Sequence, residues 1–122
     1  MNTATGFFAL QGNTTGYQNT ATGEQALFHN TTGYNNTANG ANAIFSNTVG
    51  TYNTTNGVKA LFHNTSGSSN TANGINAMLR NTSGNGNIAE DNNTAGSFNV
   101  AIGFNAGSNL TTGRATTSTS GL

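Results

Sequence analysis

A 17-residue unit recurs along this chain almost without slippage, and that period constrains the fold more than any single residue. Asn stands at positions 2, 19, 36, 53, 70 and 87, each 17 after the last, and a second Asn follows eleven places later at 13, 30, 47, 64 and 81. The unit reads N-T-A-x-G-x-x-A-L-x-x-N-T-x-G-x-x, five times in register over residues 2–86. Self-similarity at so short a period means stacked modules rather than a globular enzyme core.

With the first Asn as offset 0, Gly recurs at offset 4 (Gly6, Gly23, Gly40, Gly57, Gly74) and at offset 14 (Gly16, Gly33, Gly50, Gly67, Gly84). Two glycines per unit suit two corners where a positive φ is needed. Between them lie Thr-Ala-x at offsets 1 to 3 and Ala-Leu-Phe near offsets 7 to 9, each of strand length and too short for a helix. The expected fold is all-β, a parallel β-solenoid or β-roll of about seven 17-residue coils. Alternation in the second strand would point offsets 7 and 9 to one face and offset 8 to the other. Apolar side chains leaving one coil in two directions would require a neighbouring surface, and self-association follows.

The Asn columns Asn2, Asn19, Asn36, Asn53, Asn70 and Asn87, and Asn13, Asn30, Asn47, Asn64 and Asn81, have a structural role at this repeat. At a coil spacing of about 4.8 Å their amides can bond up and down the stack as ladders. The regular part spans 1–86, a shortened unit 87–98, and a final unit 99–115 opens at Asn99, twelve after Asn87. The stretch 116–122 reads as a Ser/Thr-rich tail or linker.

Composition removes several function classes. Asn and Thr make up more than a third of the chain, charged residues 5%, and the net charge is zero. Disorder of the charged, polar kind does not fit that balance. Lys59, Arg80 and Arg114 cannot track phosphates, so no nucleic acid is expected. There is no Cys and no apolar run approaching the roughly 20 residues that span a bilayer. The first ten residues lack the basic and apolar stretches of a signal peptide.

No chemistry assembles from the sequence. His29 and His63 share offset 10 with Ser46 between them, about 10 Å apart at two coil spacings, too far to share a metal. Glu24, Glu90 and Asp91 are scattered over the coils, and the glycine motifs lack a phosphate-loop lysine. No enzyme activity, cofactor or metal is expected. Sequons open at Asn13, Asn30, Asn53, Asn64 and Asn81, with three more at Asn35, Asn92 and Asn109, and would allow stacked glycans along one edge.

The motif Asn99-Val-Ala-Ile-Gly103-x-x-Ala106 resembles the head repeat of trimeric autotransporter adhesins of the YadA-like type. The five upstream units look like a Thr-rich variant of it, with Thr in place of the apolar residues that flank Ala, and similar repeats occur in fibres of phages and large viruses. The resemblance implies a left-handed parallel β-roll, three chains side by side, standing on a cell surface or virion. It implies an extracellular structural or adhesive fibre module that attaches through a repetitive surface, to a host glycan or matrix protein.

The outward positions that would do the recognising are Phe7-Phe8, Glu24-Gln25, Ala41-Asn42, Val58-Lys59 and Ile75-Asn76 at offsets 5 and 6. Tyr17, Tyr34 and Tyr52 are the aromatic surface-contact candidates; their alternative role is packing between coils or chains. Two other functions suit the repeat. One is a self-assembling extracellular filament stacked end to end. The other is an ice-binding solenoid built on two Thr columns, Thr3, Thr20, Thr37, Thr54 and Thr71, and Thr14, Thr31, Thr48, Thr65 and Thr82.

Overall fold

In a computed structural model, residues 1–90, 96–102 and 117–119 are described. The chain forms a parallel β-solenoid whose regular part is about five 17-residue turns. Eight short strands build one sheet in chain order: β1 (Thr3–Thr5), β2 (Thr20–Thr22), β3 (Thr37–Asn39), β4 (Thr54–Asn56), β5 (Thr71–Asn73), β6 (Ile88–Ala89), β7 (Val100–Ile102) and β8 (Thr117–Thr119). Every neighbouring pair is parallel, and Thr3 pairs with Thr20, Thr20 with Thr37, and Thr37 with Thr54, one repeat apart. Strand alternation turns the central residue inward, so Ala21, Ala38, Thr55, Ala72, Ala89 and Ala101 form one buried column.

The shortened unit keeps this register. Ile88 pairs with Val100 and Ala89 with Ala101, a step of twelve residues, as the spacing of Asn87 and Asn99 predicts. Strand β8 lies inside the stretch expected to be a tail, and its Thr117 pairs with Val100 at the full repeat.

Offsets 7 to 9 are not a strand, which corrects the expected second sheet. Among the described residues they form successive tight turns with positive φ at offsets 6 and 8, as at Gln25 (φ 55) and Leu27 (φ 52). In the second coil Ala26 N–H donates to Gly23 O at 3.3 Å and Asn30 N–H to Leu27 O at 3.2 Å. The left-handed residue breaks strand alternation, so Ala26 and Leu27 both point inward and both are fully buried. Phe28, one place on, is left half-buried on the outside. Apolar side chains therefore do not leave the coil in two equal directions, and that ground for self-association falls.

Left-handed backbone costs a non-glycine residue roughly 1–2 kcal/mol. Coil-to-coil backbone bonds offset it: Leu27 N–H donates to Ala43 O at 3.0 Å, Ile44 to Ala60 O at 2.9 Å and Leu61 to Ala77 O at 2.8 Å. Burial of each Leu side chain adds about 1.5–3 kcal/mol. The core is accordingly narrow: the sheet-side column Ala21, Ala38, Ala72, the turn-side Ala26, Ala43, Ala60, Ala77, and Leu27, Ile44, Leu61, Met78.

The rest of the interior is polar. Asn19, Asn36, Asn53, Asn70, Asn87 and Asn99 are buried, as are Asn30, Asn47, Asn64 and Asn81. Both expected Asn ladders form. Asn47 Nδ2 donates to Asn30 Oδ1 at 2.7 Å, and Asn64 Nδ2 to Asn47 Oδ1 at 2.9 Å. In the other ladder Asn53 gives both its backbone N–H (3.0 Å) and Nδ2 (3.1 Å) to Asn36 Oδ1. The two ladders meet on one atom per coil: Gly33 O accepts Asn19 Nδ2 at 2.8 Å and Asn30 Nδ2 at 3.0 Å, filling both lone pairs. In the truncated coil the first ladder keeps its half of the joint, with Asn87 Nδ2 donating to Gly96 O at 2.8 Å.

This joint explains the second glycine column. Gly16, Gly33, Gly50, Gly67 and Gly84 do not have the positive φ expected of them; the offset 4 column does, from Gly74 (φ 128) to Gly57 (φ 149). A Cβ on Gly50 would instead strike Gly67 O and the amides of Asn47 and Asn64. The second turn conformation falls two residues later, on Gln18, Asn35, Tyr52 and Ser69, at φ 55 to 59.

Candidate functional site

With the interior given over to ladders, function is left to the outward columns. The strand face carries Thr3, Thr20, Thr37, Thr54 and Thr71 in register at offset 1. Beside it run Thr5, Thr22, Asn39, Asn56 and Asn73. The three Asn make an exposed amide ladder, Asn39 Nδ2 to Asn56 Oδ1 and Asn56 Nδ2 to Asn73 Oδ1, both at 3.0 Å. At β6 and β7 the same face becomes apolar: Ile88 and Ile102 are each 45% exposed, and Val100 is half-buried.

The second Thr column has a structural task. Thr31 Oγ1 donates to Thr48 O at 2.8 Å, and Thr14, Thr48 and Thr65 repeat the bond to the next coil. Those hydroxyl protons are therefore committed to holding coils together.

Tyr17, Tyr34 and Tyr52 come together as one strip. Tyr17 and Tyr34 stack with ring centroids 4.9 Å apart and planes 1° from parallel, and Tyr52 meets Tyr34 edge-on at 5.4 Å. Tyr52 beside Tyr34 raises the Tyr34 phenol above its ordinary value of 10.0, helped by burial, by Tyr17 and by a hydrogen bond with Tyr52. Stacking along the axis turns the faces of Tyr17 and Tyr34 toward each other. Between them the strip offers ring edges and hydroxyls, and an open ring face is left only at its Tyr17 end.

The offset 9 Phe column, expected within a strand, stacks instead along the outside of the turns. Phe28, Phe45 and Phe62 stack at 5.2 and 4.9 Å, nearly parallel, with Phe8 edge-on to Phe28 at 6.2 Å. His29 stands edge-on between Phe28 and Phe45, and His63 edge-on to Phe62. The adjacent Phe at offset 9 and His at offset 10 are the sequence signal of this column. Both His are exposed, and among the described residues no three His, Cys, Asp or Glu gather as metal ligands. Asp91, Asn92, Ala106, Asn109 and Arg114 lie outside the described residues. Of the offset 5 and 6 positions, Phe7, Phe8, Val58, Ile75, Glu24 and Lys59 are exposed, while Gln25, Ala41, Asn42 and Asn76 are half-buried.

The sequon reading is corrected by burial. Asn30, Asn53, Asn64 and Asn81 are at most 2% exposed, and their Nδ2 atoms donate within the ladders. Asn13 Nδ2 likewise donates to Gly16 O at 3.0 Å. A glycan on Nδ2 would have no room there and would break the stack. Among the described sequons only Asn35, half-buried on a corner, stands clear of both ladders.

Compared with known proteins, the chain matches no family model, no curated protein and no solved structure.

Proposed function

We propose that the chain is an extracellular structural or adhesive fibre module, a left-handed roll of about seven coils that works as a side-by-side homotrimer on a cell surface or virion. The observation that carries this reading is the in-register sheet, which repeats an outward Thr at one strand spacing from β1 to β5. A surface of this kind binds by repetition, many weak contacts to a host glycan or matrix protein adding up without one deep site. The outward Ile88, Val100 and Ile102 supply an apolar strip on the sheet face that a neighbouring chain would cover. Light scattering coupled to size exclusion tests the assembly: a discrete species near three times 12.4 kDa is expected. A monomer overturns the trimer, and material that grows with concentration points to end-to-end filaments instead. Retention on glycan or matrix-protein arrays tests the adhesive role.

One observation favours a second reading, ice binding. The offset 1 Thr column stands outward on the sheet, at about 4.8 Å along the stack and about 6.7 Å from the offset 3 column, a regular hydroxyl lattice over β1 and β2. Only this column serves it, since the other Thr column is bonded to neighbouring coils. Absence of thermal hysteresis removes this reading.

A further inference from the structure

Four Asn-Gly steps occur among the described residues: Asn39-Gly40, Asn56-Gly57, Asn73-Gly74 and Asn85-Gly86. This dipeptide carries its own chemistry, because glycine has no Cβ to shield its nitrogen from the preceding side-chain amide. The deprotonated Gly nitrogen attacks Asn Cγ, a C–N bond forms, and the Cγ–Nδ2 bond breaks. The leaving nitrogen departs as ammonia with the proton the glycine gave up. Water then opens the succinimide at either carbonyl, to aspartate or isoaspartate. No catalyst or oxidant is required.

The coil withholds the nucleophile at every one of these steps. Gly40 N–H donates to Thr22 O, Gly57 N–H to Asn39 O and Gly74 N–H to Asn56 O, each at 2.8 Å, and Gly86 N–H donates to Ser68 O at 3.0 Å. A nitrogen in that bond cannot turn onto its own Asn side chain until the strand end lifts from the coil below. The side-chain amides are held unequally. Asn39 and Asn56 each donate Nδ2 along the exposed ladder, and Asn85 Oδ1 accepts Ser68 N–H at 2.7 Å. Asn73 ends the ladder: it accepts from Asn56, its side chain is exposed, and the next strand puts Glu90 beside it, since Ala72 pairs with Ala89.

We propose that Asn73 is a self-modification site gated by the fold, the first of the sheet-face Asn-Gly steps to deamidate and one whose product loosens the stack at the truncated coil. An aspartate at 73 faces Glu90 across one strand spacing, and an isoaspartate adds a backbone methylene that breaks the pairing register of β5. Either change falls where the regular repeat meets its shortest coil. The reaction is one-way, so it marks the age of the assembled protein and the number of times its sheet has opened.

Intact protein incubated at mildly alkaline pH, with and without denaturant, is mapped by mass spectrometry that separates aspartate from isoaspartate. In the folded state the three sheet-face steps are expected to convert at least about tenfold more slowly than in denaturant, the factor an opening free energy of about 1.4 kcal/mol imposes. Asn73 is expected to lead. Equal rates in the two states overturn the gating, and a lead by Asn39 or Asn56 overturns the order. Asn73→Asp is expected to melt below wild type at neutral pH and to recover at acid pH, where carboxyl groups are neutral. Asn73→Gln, whose longer side chain closes the ring far more slowly, is expected to keep the melting temperature and to lack the first product. An Asn73→Asp protein as stable as wild type at neutral pH overturns the loosening.

Discussion

Buried asparagine is the residue on which this protein turns, because it satisfies in the interior what a hydrophobic core of this width cannot. Inside the regular stack an amide such as that of Asn47 bonds to the coil before it, to the coil after it, and across its own coil to a glycine carbonyl. Removing one leaves several partners unmatched at once. Asn47→Ala deprives Asn30 Oδ1 and Gly50 O of a donor and Asn64 Nδ2 of an acceptor. A loss of about 2–4 kcal/mol is expected in chemical denaturation, since each buried unsatisfied group costs about 1–3 kcal/mol. Asn47→Asp is expected to be worse, because an ionised carboxylate has no proton for either acceptor. In the exposed ladder, Asn56→Ala breaks comparable bonds where water replaces them, and the loss is expected to stay below about 1 kcal/mol.

The turn element is held in place by backbone bonds that its own conformation makes expensive. Ile44 (φ 48) is the one β-branched residue in a left-handed column whose other members are Leu10, Leu27, Leu61 and Met78. A branched Cβ is least tolerant of that region. Ile44→Leu is therefore expected to raise the midpoint of thermal unfolding, by about 0.5 kcal/mol in stability, with volume conserved. The tyrosine strip gives a pH dependence of known sign. The folded state raises the Tyr34 phenol, so its contribution to stability is full below the ordinary value of 10.0 and is lost as pH rises past it. Ultraviolet titration is expected to find Tyr34 ionising above its ordinary value, and Tyr52→Phe to return it toward that value.

As a whole, the molecule is one-dimensional: among the described residues each coil bonds only to its neighbours. Stability in such a stack is a sum of unit and interface terms. Excising residues 36–52, one complete repeat, is expected to preserve the β circular-dichroism signal and lower the melting temperature modestly. Excising eight residues from the same region destroys the register of every column and is expected to abolish the transition. Only three basic and three acidic side chains are present, so the melting temperature is expected to change little between low and high salt.

The repeat by itself determined the period, the parallel register, both Asn ladders and the twelve-residue step at the short coil. These follow from identical offsets, which place identical groups one above another whatever the local backbone does. What only the tertiary structure decided was direction. The Ala-Leu-Phe segment has strand composition, yet Ala26 and Leu27 both face inward because Leu27 is left-handed, and that conformation is maintained by a bond to the next coil. Likewise Gly50 looks like a turn residue but is glycine because two amides and a carbonyl of the next coil occupy the space of its Cβ. The sequons of Asn30 and Asn64 are real in sequence and closed in space for the same reason. A period reports which residues stack; which way each one points depends on bonds between coils that no single unit contains.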